Sequence, residues 1–261
     1  MNYCILNGKK STMVKGLMIQ SLPSIIKPKI RTRIEEIDGR DGDLVTQLGY
    51  SAYDKEMSIG LFGDFDMAEV AAYFDQSGEV IFSNELDKKY NFQILDQINY
   101  ERLGQFKQAV IKFHVQPFKY SSTEDKIILN PNYSENFTEY IFNNGNIYSR
   151  PKLTVERNST SLNDINIYFV EYEEGVSPSL SDAHQITWKK DTASNHQKIE
   201  IDLDNMTAHY PNDSNVLANR NVSGDYSKMV LAPGRNAIVA LNGAVPTTQV
   251  RMTMENLTRW I

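Results

Sequence analysis

The sequence predicts a mainly β protein made of two β-rich domains. Apolar and polar residues alternate with a period of two in several stretches, most clearly over 105–116. In the second half, turn-forming residues recur every 8–12 residues or so, as in a β-sandwich or jelly roll. The segment 130–132, which contains Pro131, breaks the pattern. We therefore place the domains at 1–130 and 131–261.

Composition and charge exclude several classes of protein. The 261 residues are 41% hydrophobic and 23% charged, which suffices for a packed core. A net charge of −6 argues against a general nucleic-acid binder. Cys4 is the single cysteine, so an intrachain disulfide and a thiolate metal cage are excluded, and we expect a buried thiol. We expect no signal peptide, no membrane insertion and synthesis in a cytoplasm.

The first domain opens with two strands. Residues 3–6 form a short apolar strand that ends at the turn Asn7-Gly8. Residues 29–36 alternate with a period of two and carry several basic groups, which predicts a second strand. The motif DGRDGD at 38–43 then predicts a tight turn, because its glycines favour positive φ.

One short helix follows the strand predicted at 53–62. Asp66 is a suitable N-cap, and Glu69 three residues later completes a capping-box pattern. Apolar residues continue at helical spacing from Met67 to Phe74. Gly78, after Ser77, is expected to stop the helix.

Three more strands complete the first domain, at about 80–82, 90–98 and 105–116. The turn at 102–104 predicts that the last two pair as an antiparallel hairpin. Pro117 is expected to limit further ladder hydrogen bonding because proline has no N–H donor. The polar segment 121–125 and the break at 130–132 are assigned to the linker.

The second domain is predicted as a series of strands with polar turns. Asp204-Asn205 marks a hairpin tip between two of them. The strands are expected near 138–142, 151–157, 165–170, 185–189, 198–202, 207–210, 227–230, 237–241 and 249–254. Trp188 is expected in the core, and no exposed aromatic cluster is evident.

The sequence gives little support for a catalytic site or a metal site. The four histidines do not stand at metal-ligand spacing, and DGRDGD lacks the spacing of a calcium loop. The pairs Asp64/Asp66 and Asp202/Asp204 leave a glycoside hydrolase as a minor alternative, although Asp66 is accounted for as a cap. We predict no enzyme activity, no metal and no cofactor.

The charge distribution suggests a subunit interface. Residues 15–33 carry five basic groups and no acidic one, whereas 54–87 carry nine acidic groups and one lysine. Two solvated faces would explain this pattern. The alternative is that a basic edge of one subunit meets an acidic edge of the next, which closes into a ring if the rotation fits. The candidate interface residues are Lys29, Arg31, Arg33, Asp64, Asp66 and Glu69.

Four features together resemble the distal tail proteins of siphophages and prophages of Gram-positive bacteria. They are the basic strand leading into DGRDGD, the strand–helix–strand order ending in VQPF at 115–118, NGNIYSRPKL at 144–153, and LAPGRNAI at 231–238 followed by the last strand. Their order and spacing carry the resemblance, which spans essentially the whole chain.

The resemblance implies a split-barrel-like N-terminal β domain with one short helix and a galectin-like or carbohydrate-module-like C-terminal sandwich. It implies a structural baseplate hub at the virion tail tip, in which a homo-hexameric ring connects the tail tube to the adsorption apparatus. The implied partners are the major tail tube protein, a tail-tip or tail-associated lysin protein, and receptor-binding proteins. The alternative function is a sandwich that binds host cell-wall glycan.

Overall fold

The computed structural model describes residues 1–103, 106–123, 125–130, 132–133, 137–158, 163–181, 183–189, 196–211, 217–243, 245–246 and 249–261. The chain divides into two compact units. The first comprises residues 1–123 together with Ile261, and the second comprises residues 124–260. Each unit has a hydrophobic core cluster of its own.

Among its described residues, the first unit contains one α-helix, α1, at Met67–Phe74, and a short 3-10 helix at Ser11–Met13. Its strands are β1 Cys4–Leu6, β2 Lys9–Lys10, β3 Leu17–Ser21, β4 Ile30–Glu36, β5 Asp43–Tyr50, β6 Tyr53–Leu61, β7 Ser77–Phe82, β8 Lys88–Gln93, β9 Glu101–Leu103 and β10 Phe106–Ser121.

Most of these strands form one curled half-barrel sheet. Its antiparallel order is β2-β1-β7-β8-β10-β6-β3, and β9 pairs with β10. The alternating residues Ile111, Phe113 and Val115 of β10 are fully buried, as their period of two predicted. Helix α1 adds Val70 and Phe74 to the same core, so its apolar face covers the sheet. The mainly β class with one short helix is confirmed.

The helix begins as predicted but ends earlier. The Asp66 carboxylate accepts a hydrogen bond from the Ala68 N–H at 2.8 Å, which is the expected cap. The helix ends at Phe74. Gly78 lies in strand β7 and does not terminate the helix. Gly78 has φ +138°, and a Cβ there would lie 2.1 Å from Asn7 Oδ1. The glycine thus makes room for the Asn7 side chain, which accepts from the Glu79 N–H at 2.8 Å.

Pro117 interrupts the ladder as expected, but the long strand runs past the end expected at 116. Strand β10 continues to Ser121, and its pairing with β8 shifts register between Val115 and Lys119. A bulge at this point needs no ladder hydrogen bond from Pro117, so the strand passes through it. β8 and β10 are antiparallel as expected, with β9 in the connection between them. Gly104 and Gln105, where that turn was expected, lie outside the described residues.

Among its described residues, the second unit contains twelve strands and two 3-10 turns at Asn219–Asn221 and Tyr226–Lys228. The strands are β11 Lys126–Leu129, β12 Thr138–Asn143, β13 Lys152–Arg157, β14 Ile165–Glu171, β15 His184–Trp188, β16 Lys198–Asp202, β17 Thr207–His209, β18 Val222–Gly224, β19 Gly234–Asn242, β20 Val245–Pro246, β21 Val250–Glu255 and β22 Arg259–Trp260.

Two antiparallel sheets of this unit enclose one core, which makes a β-sandwich. The first sheet has the order β11-β21-β13-β16-β17. The second has the order β12-β19-β14-β15-β18, with β20 paired to β19. Trp188 is fully buried between them, as expected. Strand β11 pairs with β21, so this unit begins a few residues before the boundary expected at 130.

Two local expectations have different outcomes. The strand expected at 227–230 is wrong, because Asp225 caps a 3-10 turn there by accepting from the Ser227 N–H at 3.0 Å. The hairpin tip at Asp204-Asn205 is confirmed between β16 and β17. The Asp202 carboxylate accepts from the backbone N–H groups of both tip residues, at 3.0 and 2.9 Å. This carboxylate therefore stabilises the turn between β16 and β17.

Candidate subunit interface on the first unit

A β-hairpin stands apart from the half-barrel sheet. Strands β4 and β5 pair only with each other among the described residues, and we name residues 25–50 the arm. Gly39 and Gly42 have φ of +80° and +79°, so the DGRDGD motif makes the predicted turn at the tip. Eight residues of strand span roughly 27 Å. The arm is thus long and has two open strand edges.

The arm exposes an unusual number of apolar side chains. Seven of the twenty large hydrophobic side chains that are exposed in the described chain lie on it: Ile25, Ile26, Ile34, Ile37, Leu44, Val45 and Leu48. Ile34 and Val45 face each other across the ladder and are 59% and 58% exposed. Exposed apolar side chains gathered on one hairpin mark a candidate interaction site. Open strand edges likewise favour pairing with another chain.

Strand β5 and the apolar character of the arm were not predicted from the sequence. A period-two pattern reveals a strand when one face is buried, and β5 is exposed over most of its length. The available signal was the set of aliphatic residues on both sides of a turn motif, at Ile34, Leu44 and Val45.

The base of the arm is held by contacts to the half-barrel. The two sides of the arm are closed at the base, where the Ser51 N–H donates to the Lys29 carbonyl at 2.8 Å. The Tyr50 ring packs edge-on against Phe118 at a centroid distance of 5.4 Å. Just before the arm, the Pro23 carbonyl accepts from Asn84 Nδ2 at 3.0 Å, and the Ser24 carbonyl accepts from Lys55 Nζ at 2.6 Å.

Lys55 belongs to a buried ionic cluster that we name the anchor: Lys55, Glu85, Tyr90 and Lys119. Lys119 Nζ lies 2.9 Å from Glu85 Oε1, and the two side chains are 6% and 11% exposed. The Tyr90 hydroxyl donates to the other oxygen of Glu85. Lys55 Nζ lies 4.8 Å from the centre of the Tyr90 ring, a cation–π contact. One carboxylate therefore balances two buried ammonium groups.

The surroundings of the anchor shift the pKa values of its ionisable groups. Burial lowers the pKa of Lys55 from 10.5 to about 8, and the Lys119 charge adds to this effect while Glu85 opposes it. For Glu85, burial alone would raise the pKa, but hydrogen bonds from Tyr90 and Lys119 hold it below its ordinary value. Burial together with the Glu85 charge raises the pKa of Tyr53 to about 12.

We expect Lys55 to make stability depend on pH in the alkaline range. Below pH 8 the lysine is protonated in both the folded and the unfolded chain. Between about 8 and 10.5 the unfolded chain binds the proton more tightly than the folded chain, so the free energy of unfolding rises with pH. Relative to Lys55→Met, the wild type should gain about 2 kcal/mol between pH 7.5 and 9.5.

Denaturant titrations of both proteins at several pH values measure this difference. Comparison with Lys55→Met removes the contribution of Tyr53, which both proteins share. A difference between the two proteins that stays flat across this range would contradict the assignment.

The predicted basic residues Lys29, Arg31 and Arg33 all lie exposed on the arm. Arg33 Nε lies 2.6 Å from Glu35 Oε1 on the same strand, and both side chains are solvent-accessible. Such a pair contributes little to stability. These residues therefore remain available for a contact with another chain.

The predicted acidic residues lie around the start of α1. Asp64 pairs with Lys15, and Glu69 Oε1 lies 3.8 Å from Lys9 Nζ. Asp66 is the helix cap. The ion pairs of the described residues join none of these groups to Lys29, Arg31 or Arg33 within the chain. An interface between the two sets stays a prediction about neighbouring subunits.

Two of the four histidines contact a carboxylate of a neighbouring residue. His114 Nδ1 lies 2.8 Å from Asp54, and this hydrogen bond, followed by one from Lys112, lowers the pKa of Asp54. His209 Nε2 lies 3.1 Å from Glu200. Within the described residues, no group of three or more acidic, His or Cys side chains is placed to hold a metal. Cys4 is buried as expected, and burial raises its pKa to about 11.

The second unit does expose aromatic side chains, contrary to expectation. We name Tyr140, Phe142, Tyr148 and Tyr172 the aromatic patch. The first three are 54%, 56% and 47% exposed, and the rings of Tyr140 and Tyr172 lie 4.6 Å apart. The sequence pattern hid this cluster because Tyr140 and Phe142 lie on the outer face of β12, where apolar residues were assigned to the core.

Comparison with known proteins supports the fold described above. No family model and no curated protein matches the chain. Among solved structures, the chain is similar over 100% of both chains to Dit (gp 19.1) of phage SPP1, with a TM-score of 0.62 and 12% identity. That protein is described as a paradigm of the hub adsorption apparatus in phages that infect Gram-positive bacteria.

Two structures of the phage p2 baseplate in its activated conformation, with Sr and with Ca, are also similar. They give TM-scores of 0.51 and 0.50 over 98% of this chain, at 9% and 10% identity. The chain thus has the fold of phage baseplate proteins. More particularly, it has a Dit-like fold, as the sequence resemblance predicted. None of the helices that the structure describes is both long and apolar enough to cross a membrane.

Proposed function

We propose that this protein is a structural baseplate hub of a phage or prophage tail. Its subunits form a hexameric ring that connects the tail tube to the adsorption apparatus. The observation that carries the proposal is the match to the SPP1 hub protein over the full length of both chains. A match over both units favours the same architectural role, because both halves of the hub fold are present.

The arm supplies a means of self-association. Its apolar side chains and open edges are exposed in the single chain, and a neighbouring subunit would cover them. A contact between two different surfaces repeats from subunit to subunit, and it closes into a ring when the rotation fits. The anchor supports this role by holding the base of the arm in one place.

The charged residues would set the register of this contact. The arm of one subunit presents Arg31 and Arg33, and the start of α1 on the next presents Asp64 and Glu69. Exposed ion pairs add little affinity but speed the encounter and select orientation. Apolar burial by the arm would supply most of the affinity.

In this role the partners are the tail tube protein on one side and a tail-tip or lysin protein on the other, with receptor-binding proteins as further candidates. The protein would be made in the host cytoplasm and act at the virion tail tip without enzymatic activity. The turn that occupies the Asp202 carboxylate supports the absence of hydrolysis at this pair.

We expect the purified protein to have a solution mass about six times the 29.8 kDa of the chain. Light scattering after size exclusion measures this mass, and negative-stain images should show rings with a central opening. A protein that stays monomeric at concentrations up to about 100 μM would contradict the proposal, since obligate ring contacts assemble well below this range.

A further inference from the structure

A cavity in the second unit adjoins the aromatic patch. It has a volume of about 430 Å³, within the range of small-ligand pockets. Strand β14 and the segment after it form one wall, and residues near the start of β19 form the other. The lining residues that matter for recognition are Glu171, Tyr172, Glu173, Ser177, Ser179 and Arg235.

The aromatic wall of this cavity is held in place. The Tyr172 ring packs on Tyr140 at 4.6 Å, and its hydroxyl accepts from the Gly175 N–H at 3.4 Å. Tyr148 donates from its hydroxyl to Glu171 Oε1 at 3.5 Å. A fixed, partly exposed ring offers an apolar face next to polar groups, which is the surface that suits the mixed faces of a sugar ring.

The polar groups around the ring suit a ligand with many hydroxyls. Carboxylates accept hydrogen bonds, the Arg235 guanidinium donates them, and the hydroxyls of Ser177 and Ser179 do both. Arg235 Nη2 lies 2.8 Å from Glu174 Oε2, which orients the guanidinium beside the cavity. These groups therefore supply both kinds of partner that a saccharide requires.

The local charge selects among saccharides. Three carboxylates, those of Glu171, Glu173 and Glu174, stand against the one guanidinium of Arg235. A ligand that carries phosphate or carboxylate groups would be repelled. We propose that this cavity, with Tyr172 as its stacking platform, binds a neutral saccharide. The proposal concerns the second unit alone and does not rest on ring formation.

Affinity electrophoresis tests the proposal. The full-length protein is run through native gels that contain a neutral polysaccharide, namely dextran, a β-1,3-glucan or a galactomannan. Parallel gels contain the anionic polymers polygalacturonate or poly(glycerol phosphate). We expect at least one neutral gel to retard the wild type and both anionic gels to leave it unretarded.

Variants locate the site. Tyr172→Ala should weaken the retardation at least fivefold in apparent affinity, and the exposed Glu173→Ala provides a second variant if Tyr172→Ala fails to fold. Ile128→Ala, an exposed change on the other sheet, is the matched control and should bind like the wild type. The proposal is overturned if no neutral gel retards the wild type, if only anionic gels do, or if the folded cavity variants are retarded equally.

Discussion

Replacing Glu85 with alanine should lower the free energy of unfolding of the first unit by about 3–5 kcal/mol. The change leaves the Lys119 ammonium, whose side chain is 6% exposed, without its carboxylate partner. It also leaves Lys55 beside a second buried positive charge and removes the acceptor of the Tyr90 hydroxyl. Such a loss is a large part of the stability of an ordinary domain. Calorimetry or denaturant titration followed by circular dichroism measures it.

Two further variants test whether the loss of stability comes from the buried anchor and not from the removal of any carboxylate. Glu79→Ala removes a carboxylate 2.7 Å from Lys89 in a more exposed pair, and it should cost less than about 1 kcal/mol. Adding Lys119→Met to Glu85→Ala should recover part of the stability, because it removes the uncompensated buried charge. If Glu85→Ala cost no more than Glu79→Ala, the anchor would not have the energetic role assigned to it.

The double variant Ile34→Glu, Val45→Glu should dissociate the proposed ring into single chains. The two side chains face each other on the arm, and a neighbouring subunit that covers them would bury two carboxylates without partners. Two central interface positions at about 2 kcal/mol each weaken association about a thousandfold. The fold should persist, because both positions are more than half exposed in the single chain. Light scattering over a concentration series measures the shift.

Charge reversal on the same arm gives a graded comparison. Arg31→Glu with Arg33→Glu keeps the apolar pair, so its effect should be smaller and should fade at high salt. Ile128→Glu, an exposed position on the second unit, should leave the mass unchanged. An intact oligomer in the Ile34/Val45 variant would show that the arm does not hold the subunits together.

Much of the fold follows from the sequence where one face of a strand is buried. The strand through Ile111 and Phe113 was evident because every second residue enters the core. The helix was evident from Asp66 and the apolar spacing after it. Gly78 was misassigned because its role depends on Asn7, which is distant in sequence.

The candidate interface was only partly accessible from the sequence. Charge clustering drew attention to Arg31 and Arg33, and the structure places both on the arm. The aliphatic residues around them were not recognised, because exposure is a property of the folded chain. The anchor was also missed, since Lys55, Glu85 and Lys119 are brought together only when β6, β10 and the turn after β7 meet.

The way the arm is attached bears on how this protein can evolve. Lys55 and Asn84 hold the carbonyl oxygens of Ser24 and Pro23, groups that every amino acid provides. Apart from Tyr50, whose ring packs on Phe118, substitutions along the hairpin can therefore accumulate without loosening its attachment. When a neighbouring protein changes, the contact surface of the arm can therefore change with it while the attachment of the arm is kept.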